Sequence, residues 1–310
     1  PAWWLRNRHL QTLWPSRFRS RPRLPLTRKR LTLPDGDFLD LSWMPDNGGD
    51  ICLILHGLER TLESHYSGPL IQAATRAGMH AVFMHFRGCS GEPNRLPRRY
   101  HSGETGDLIF VLETLQDHYP DKTIHTIGVS LGGNVLLKYL GEHAGDTQVA
   151  SAAAISVPFD LAIGAQTLKT GTARIYQRHL LNSLQANFYT KAKTMQLPIS
   201  IPDKDEIDTI YEFDDLVTAP LHGFKNADDY YQRCSSRQFI PALQTPTLLI
   251  HALDDPFMTT AAIPTNKELP PCVEMELSKH GGHVGFIDGA MPVAASYWLD
   301  RRIESWLRGY

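Results

Sequence analysis

The stretch between residues 123 and 140 constrains the fold more than any other part of this chain. It begins as a short β-branched run, Thr123–Ile127, and ends in apolar residues at helical spacing. Between the two lies Gly128-Val129-Ser130-Leu131-Gly132. A Gly-x-Ser-x-Gly at a strand-to-helix junction is typical of a nucleophile elbow, the tight turn that presents a catalytic serine. A glycine-rich turn with an incidental serine is the alternative, but the position between the two patterns favours the elbow.

Steric crowding explains why this motif needs glycine at two of its positions. The serine sits on a turn so tight that a Cβ two residues before or after it would clash, and Gly128 and Gly132 remove that clash. The helix that follows directs its first amides at any negative charge that develops on a substrate oxygen. The amide of Leu131 is therefore predicted to be the first oxyanion donor.

Composition limits the classes of protein to consider. The chain has 310 residues, is 42% hydrophobic and has a formal net charge of −2, which suits one large domain with an inserted subdomain or two modest domains. Its four cysteines show no metal-binding spacing and are expected to be reduced thiols of a cytoplasmic protein. No apolar run has the length of a membrane span. No metal or organic cofactor is predicted.

The order of elements predicts an α/β fold with a mostly parallel sheet. Residues 29–33 and 38–43 read as an antiparallel pair at its edge, and the apolar run 51–55 suits a strand covered on both faces. Strands and helices then alternate up to residue 157, as a parallel sheet requires. We expect four regions: a basic, aromatic arm (1–30), the first part of the core (31–157), a helical cap or lid (158–240) and the last part of the core (241–310).

The insertion at residues 158–240 interrupts the alternation and is predicted to consist of helices and loops. Its segments are 165–186, 188–195, the acidic 203–215 and 228–235. Its aromatic residues could line an apolar substrate cleft, or they could form the ordinary underside of a helical cap. The two interpretations give the same sequence pattern.

The first 34 residues carry nine Lys or Arg side chains and no Asp or Glu. Trp3, Trp4, Trp14 and Phe18 are interleaved among them. This pattern fits peripheral contact with an anionic membrane, and it fits equally an arm packed on an acidic domain. Nucleic acid is not predicted as a partner.

A serine nucleophile needs a base and a carboxylate that fixes the tautomer of that base, each at the end of a successive strand. In chain order the sequence offers Ser130, the pair Asp254-Asp255, and His280 or His283. The two glycines before it, Gly281-Gly282, would give a flexible approach to His283, which favours His283 over His280 as the base. A second oxyanion donor is expected after the strand 51–55, where Gly57 would let the amide of Leu58 point into the site; His56 is predicted to be structural.

Four motifs together resemble the YheT-like α/β-hydrolases, bacterial relatives of the eukaryotic ABHD lipid hydrolases. They are the elbow Gly-Val-Ser-Leu-Gly-Gly-Asn, the segments 85–91 (His-Phe-Arg-Gly-Cys-Ser-Gly) and 281–286 (Gly-Gly-His-Val-Gly-Phe), and the opening segment 5–12 (Leu-Arg-Asn-Arg-His-Leu-Gln-Thr). The resemblance covers nearly the whole chain. It implies the α/β-hydrolase fold with an inserted lid, and Ser130, Asp255 and His283 as the triad. Acid loops of this fold read Gly-x-x-Asp, and aligning Ala252 with the glycine also selects Asp255, with Asp254 turned away.

These observations predict a serine carboxylic ester hydrolase that acts on apolar, short- to medium-chain or lipid-like esters through an acyl-enzyme. Its expected partner is a small-molecule ester. An acyltransferase on the same triad is one alternative, although the His283…Asp288 spacing is a weak signature for it. A hydrolase fold retained as a binding protein is the other. An aspartate-nucleophile hydrolase is disfavoured because the elbow carries serine.

Overall fold

The computed structural model describes residues 2–310, and its ten strands form an eight-stranded sheet and a short two-stranded ribbon. The strands of the sheet are β1 (Thr27–Thr32), β2 (Phe38–Trp43), β3 (Ile51–Leu55), β4 (His80–His85), β5 (Ile124–Val129), β6 (Val149–Ile155), β7 (Thr247–Ala252) and β8 (Val273–Ser278). Those of the ribbon are β9 (Ile287–Asp288) and β10 (Ser296–Tyr297).

The strand order is β1-β2-β4-β3-β5-β6-β7-β8. β2 pairs antiparallel with β1 and β4, and all other neighbours in this sheet are parallel. The predicted fold class, a mostly parallel sheet with an antiparallel edge, is confirmed. Because parallel strands end at one edge of a sheet, the loops after β3, β5, β7 and β8 can meet there.

Helices cover both faces of the sheet, which explains the unbroken apolar runs in its strands. The α-helices are α1 (Arg8–Phe18), α2 (Ser67–Arg76), α3 (Gly106–His118), α4 (Leu131–Glu142), α5 (Leu161–Leu168), α6 (Arg174–Ala192), α7 (Ile210–Phe213), α8 (Ala219–Leu221), α9 (Ala227–Cys234) and α10 (Trp298–Leu307). Leu53 and Leu55 of β3 join the core under α3 and α4, while Cys52 and Ile54 join the core under α2 and α10. This alternation follows from the two-residue period of a strand.

The region between β6 and β7 is helical, and α9 matches the predicted segment 228–235. The first helices of the region differ from the predicted ones. The predicted helix 165–186 is broken: α5 ends at Leu168, and Gly171 adopts a φ of +52°, outside the helical range. α6 then runs without interruption through Asn187, where a boundary was predicted. Asn187 lies on the exposed side of α6, and its amide donates to Glu59, so a polar residue there does not end the helix.

The C-terminal helix α10 begins at Trp298. Residues 292–294 form a short 3-10 turn, and 296–297 pair with 287–288 as the ribbon. The indole nitrogens of Trp3 and Trp4 donate to the carbonyl oxygens of Ala290 and Gly289 beside this ribbon. The first residues of the chain therefore pack on its last elements.

α1 connects this packed end of the arm to the rest of the molecule. Trp14 packs edge-on against Trp4, and Arg19 forms an ion pair with the partly buried carboxylate of Asp300. None of the helices within residues 2–310 has the length and apolar character needed to cross a bilayer.

Candidate active site

Ser130 occupies the turn between β5 and α4 with the strained backbone angles φ +53° and ψ −118°. A non-glycine residue rarely adopts a positive φ, and such strain is concentrated at functional sites. The Ser130 amide donates to Ile155 of the neighbouring strand (2.8 Å), which holds the turn in place. A Cβ on Gly128 would lie 2.6 Å from the Gly132 carbonyl oxygen, and one on Gly132 would lie 2.6 Å from that of His56. The close approach predicted for the elbow glycines is therefore present.

The sequence-predicted triad residues come together in one hydrogen-bonded row. The Oγ atom of Ser130 lies 3.1 Å from Nε2 of His283, and Nδ1 of His283 lies 2.9 Å from Oδ2 of Asp255. Asp255 is 1% exposed, and its other oxygen accepts the Phe257 amide at 2.9 Å. A carboxylate on Nδ1 keeps the proton there and leaves Nε2 free to accept the proton of Ser130.

Asp254 and His280, the alternative acid and base, form a separate pair outside this row. Oδ1 of Asp254 accepts the amides of Gly281 and Gly282 at 2.9 and 3.0 Å. Its Oδ2 lies 3.3 Å from Nδ1 of His280. Asp254 thus shapes the loop that carries His283.

Leu58 and Leu131, whose amides are the predicted oxyanion donors, line the same cavity as Ser130. The neighbouring amides of Gly57 and Glu59 donate to the hydroxyl groups of Tyr66 (2.9 Å) and Tyr100 (2.7 Å). Within residues 2–310, those of Leu58 and Leu131 donate to no protein acceptor. Two unpaired amides beside a serine are suited to hold an oxyanion.

His56 orients one of these amides. Its Nε2 accepts the Phe86 amide (3.1 Å), so its proton lies on Nδ1, which donates to the carbonyl oxygen of Gly57 (2.7 Å). Because the Gly57–Leu58 peptide is trans and planar, the N–H of Leu58 points away from that oxygen and from His56. Burial lowers the pKa of His56 to about 3, so the ring is neutral at physiological pH. His56 lies outside the row of Ser130, His283 and Asp255, and its contacts position a loop.

Replacing His56 with alanine is expected to lower kcat by about 10²–10³, the cost of losing one oxyanion donor, with a smaller change in KM. The glutamine variant can still donate to Gly57 and should recover part of the loss. Kinetics on a soluble ester, together with the Tm of each variant, check this. An alanine variant that stays folded and retains kcat would show that the loop needs no such support.

Phe257 was not predicted as a site residue. Its ring stacks on the His283 imidazole with a centroid distance of 4.0 Å and an interplanar angle of 3°. The stack fixes the plane of the imidazole and shields one of its faces from water. The only sequence signal was an aromatic residue two positions after Asp255.

The arm also supports the site, which composition alone did not indicate. The Thr12 hydroxyl accepts the backbone amide of His283 (2.9 Å), and the side chain of Gln11 bonds both the amide and the carbonyl of Ile287. A Cβ on Gly285 would lie 2.2 Å from the Gln11 carbonyl oxygen. Glycine in this loop permits close packing with α1. The sequence had suggested that the glycines before His283 make its loop flexible, but they pack closely instead. The motif 5–12 contains Gln11 and Thr12, and it was the sequence signal that the arm contacts this loop.

A cavity of about 660 Å³ opens over Ser130 and His283. Its wall opposite the sheet comes from α5, α6, α7 and the segment after α7, and is largely apolar. That wall includes Leu168, Leu180, Leu184, Ile210, Phe213 and Val217. The arrangement places a serine hydroxyl, an imidazole and two unpaired amides beside an apolar space.

Within residues 2–310, His101, Glu104 and His222 form a group whose potential metal-ligating atoms lie within 4.8 Å of one another. Nδ1 of His101 already accepts the Gly103 amide (3.1 Å), and Glu104 is paired with Arg98. These contacts occupy one nitrogen of His101 and one oxygen of Glu104, and we assign no metal role to the group.

Residues 51–290 match the family model for the alpha/beta hydrolase fold. The protein YheT of Escherichia coli (strain K12), whose name describes it as a candidate esterase, is 44% identical over 98% of this chain and 91% of its own length. Phospholipase ABHD3 of Homo sapiens is 28% identical over 99% of this chain and 78% of its own. Monoacylglycerol lipase of Saccharomyces cerevisiae is 31% identical over 78% of this chain and 56% of its own.

Among solved structures, the Pyrococcus furiosus esterase Pf2001 aligns with a TM-score of 0.60 at 17% identity, covering 94% of this chain and 98% of that one. At this identity the likeness concerns the fold alone. The matched family model and the identity to YheT establish family membership as well as fold, because they cover most of the sequence. The chain belongs to the α/β-hydrolase family and, within it, to the YheT-like members, and it is a hydrolase of the esterase and lipase type.

Proposed function

We propose that this protein hydrolyses carboxylic esters with an apolar acyl chain, with Ser130 as nucleophile, His283 as general base and Asp255 as the orienting carboxylate. The observation that carries the proposal is the continuous row from Ser130 through His283 to Asp255, at 3.1 and 2.9 Å. Nucleophile and base within hydrogen-bond reach, with the base oriented by a third group, are what covalent catalysis by serine requires.

In the proposed mechanism, Nε2 of His283 takes the Ser130 proton as Oγ attacks the ester carbonyl carbon. The tetrahedral oxyanion accepts hydrogen bonds from the amides of Leu58 and Leu131. His283 then gives its proton to the leaving alcohol, and an acyl-enzyme remains on Ser130. Water attacks this acyl group with His283 again as base, and the acid leaves.

The apolar wall of the cavity supports an apolar acyl group. We propose that residues 158–240 form the cap that supplies this wall. Long acyl chains gain from leaving water by about 0.8 kcal/mol for each buried methylene. The names of the relatives, which include a monoacylglycerol lipase and a phospholipase, fit esters of lipid size.

An acyltransferase would use the same triad with an alcohol in place of water. No observation favours it, because Asp288 of the His283…Asp288 spacing forms an ion pair with Arg301 and a hydrogen bond with Ser296. A binding protein needs no such row of aligned proton-transfer groups. Product analysis with added alcohol separates the first alternative, and turnover itself separates the second.

The acyl preference can be tested within one helix. Leu184 of α6 borders the cavity, whereas the buried Leu181, one turn earlier, packs in the cap and does not. Leu184→Phe should lower kcat/KM for octanoate relative to acetate esters by about tenfold or more, since pocket contacts of this size are worth ~1–3 kcal/mol.

Leu181→Phe is the matched control and should leave the octanoate-to-acetate ratio unchanged, even where it lowers Tm. Activity of the wild-type protein on neither ester would refute the hydrolase proposal. An unchanged ratio in Leu184→Phe would show that the acyl chain binds elsewhere.

A further inference from the structure

The outer side of α1 carries an exposed stripe that the packing of the arm does not use. Leu10, Leu13 and Arg17 follow one another at helical spacing on that side, and Arg6 lies just before the N-cap Asn7. Gln11, Thr12 and Pro15 are buried on the other side. Leu10 and Leu13 are each 51% exposed. Two leucines between two arginines therefore face solvent.

The first turns of α6 lie next to this stripe and have the same character. His9 of α1 bonds both Tyr176 (3.0 Å) and Thr172 (2.9 Å) through its two ring nitrogens, which places the helices side by side. Ile175 is 71% exposed and is flanked by the exposed Arg174 and Arg178.

The mouth of the catalytic cavity opens between these two helices. An exposed residue that also lines the cavity marks its opening, and these residues are Leu13, Ser16, Arg21, Glu63, Ile175 and His179. Four come from α1 or α6. Arg21 and Glu63 form an exposed pair with each other (3.2 Å), so they add no net charge.

The charge of this face has one sign. Neither α1 nor α6 contains an aspartate or glutamate. Arg6, Arg8, Arg17, Arg174 and Arg178 are all exposed. Apolar side chains surrounded by arginines match the boundary of an anionic bilayer, where the apolar groups enter the acyl region and the cations meet the headgroups.

We propose that this face, made of α1 and the first turns of α6, docks on an anionic phospholipid surface, so that the cavity opens toward the bilayer. This inference rests on the proposed function in one respect only, namely that an ester substrate enters the cavity from the bilayer side. A lipid ester could then pass from the bilayer to Ser130 without crossing water. Leu10, Leu13 and Ile175 are the anchoring side chains, and the arginines supply the attraction.

The test uses vesicles of phosphatidylcholine with phosphatidylglycerol, and of phosphatidylcholine alone. The wild-type protein should co-sediment with the anionic vesicles at low salt and release at high salt, where charge is screened. The double variant Arg17→Glu/Arg178→Glu should bind about tenfold or more weakly, since each basic residue near such a surface contributes several-fold. The double variant Lys225→Glu/Lys267→Glu makes the same change of net charge elsewhere and should bind as the wild-type protein does.

Hydrolysis distinguishes failure of this inference from failure of the proposed function. Both double variants should hydrolyse a soluble acetate ester at the wild-type rate. Arg17→Glu/Arg178→Glu should be slower only on an ester carried in anionic vesicles. Equal vesicle binding by both double variants, or no binding by the wild-type protein at low salt, would overturn the docking face while leaving soluble-ester activity intact.

Discussion

The kcat of the Ser130→Ala variant on a soluble ester is expected to be about 10⁴–10⁶-fold lower than that of the wild-type protein. The variant should keep its fold. The methyl group cannot form an acyl-enzyme, while the oxyanion amides and the cavity remain. A residual rate above that of water is therefore expected from binding and oxyanion stabilisation alone. The backbone of residue 130 is strained in the wild-type protein, and alanine at that position meets the same strain.

Ser16→Ala is the matched control, because it removes a hydroxyl group from the mouth of the same cavity. It should leave kcat and Tm unchanged. Kinetics with freshly purified variants and a thermal melt of each decide the result. Wild-type turnover in a clean Ser130→Ala preparation would remove the serine from the mechanism.

The second large effect is expected at Asp255. Asparagine keeps the shape of the side chain, but it can direct an N–H at Nδ1 of His283 and leave the proton on the wrong nitrogen. In a serine protease this change cost roughly 10⁴ in turnover. Asp255→Asn should therefore be nearly inactive on a soluble ester, with a Tm close to that of the wild-type protein.

Asp254→Asn is the control for this substitution, since it is the adjacent residue with the same chemistry. The Asp254 carboxylate accepts two backbone amides of the His283 loop, and an asparagine oxygen can still accept them. We expect activity to fall only as far as stability does. An active Asp255→Asn beside a folded and inactive Asp254→Asn would move the orienting carboxylate by one residue.

The elbow could be predicted from sequence because its constraint is local. Few turns besides a nucleophile elbow require glycine two residues either side of a serine, between a strand-like and a helix-like run. The apolar strands were predictable for a related reason, because a strand covered on both faces has no polar side.

The contacts that hold the His283 loop were harder to predict because they join residues far apart in the chain. Thr12 is 271 positions from His283, and its hydroxyl supports the loop only once α1 has packed on it. The Phe257 stack depends in the same way on two loops meeting. The break at Gly171 was missed because apolar spacing on both sides of it continued the helical pattern.

The arm shows why composition left two interpretations open. Trp4 and Trp14 pack inward, as a packed arm requires, while Trp3 and Phe18 are 69% and 63% exposed. A helix has two sides, and the same segment can both support the His283 loop and present a basic, apolar face to solvent.

Covalent labelling tests the central claim most directly. A fluorophosphonate reacts selectively with an activated serine, and digestion followed by mass spectrometry identifies the residue that carries the adduct. We expect one adduct for each chain, on Ser130, absent from Ser130→Ala and much slower to form in Asp255→Asn. An unlabelled wild-type protein, or an adduct on another serine, would contradict the proposed mechanism.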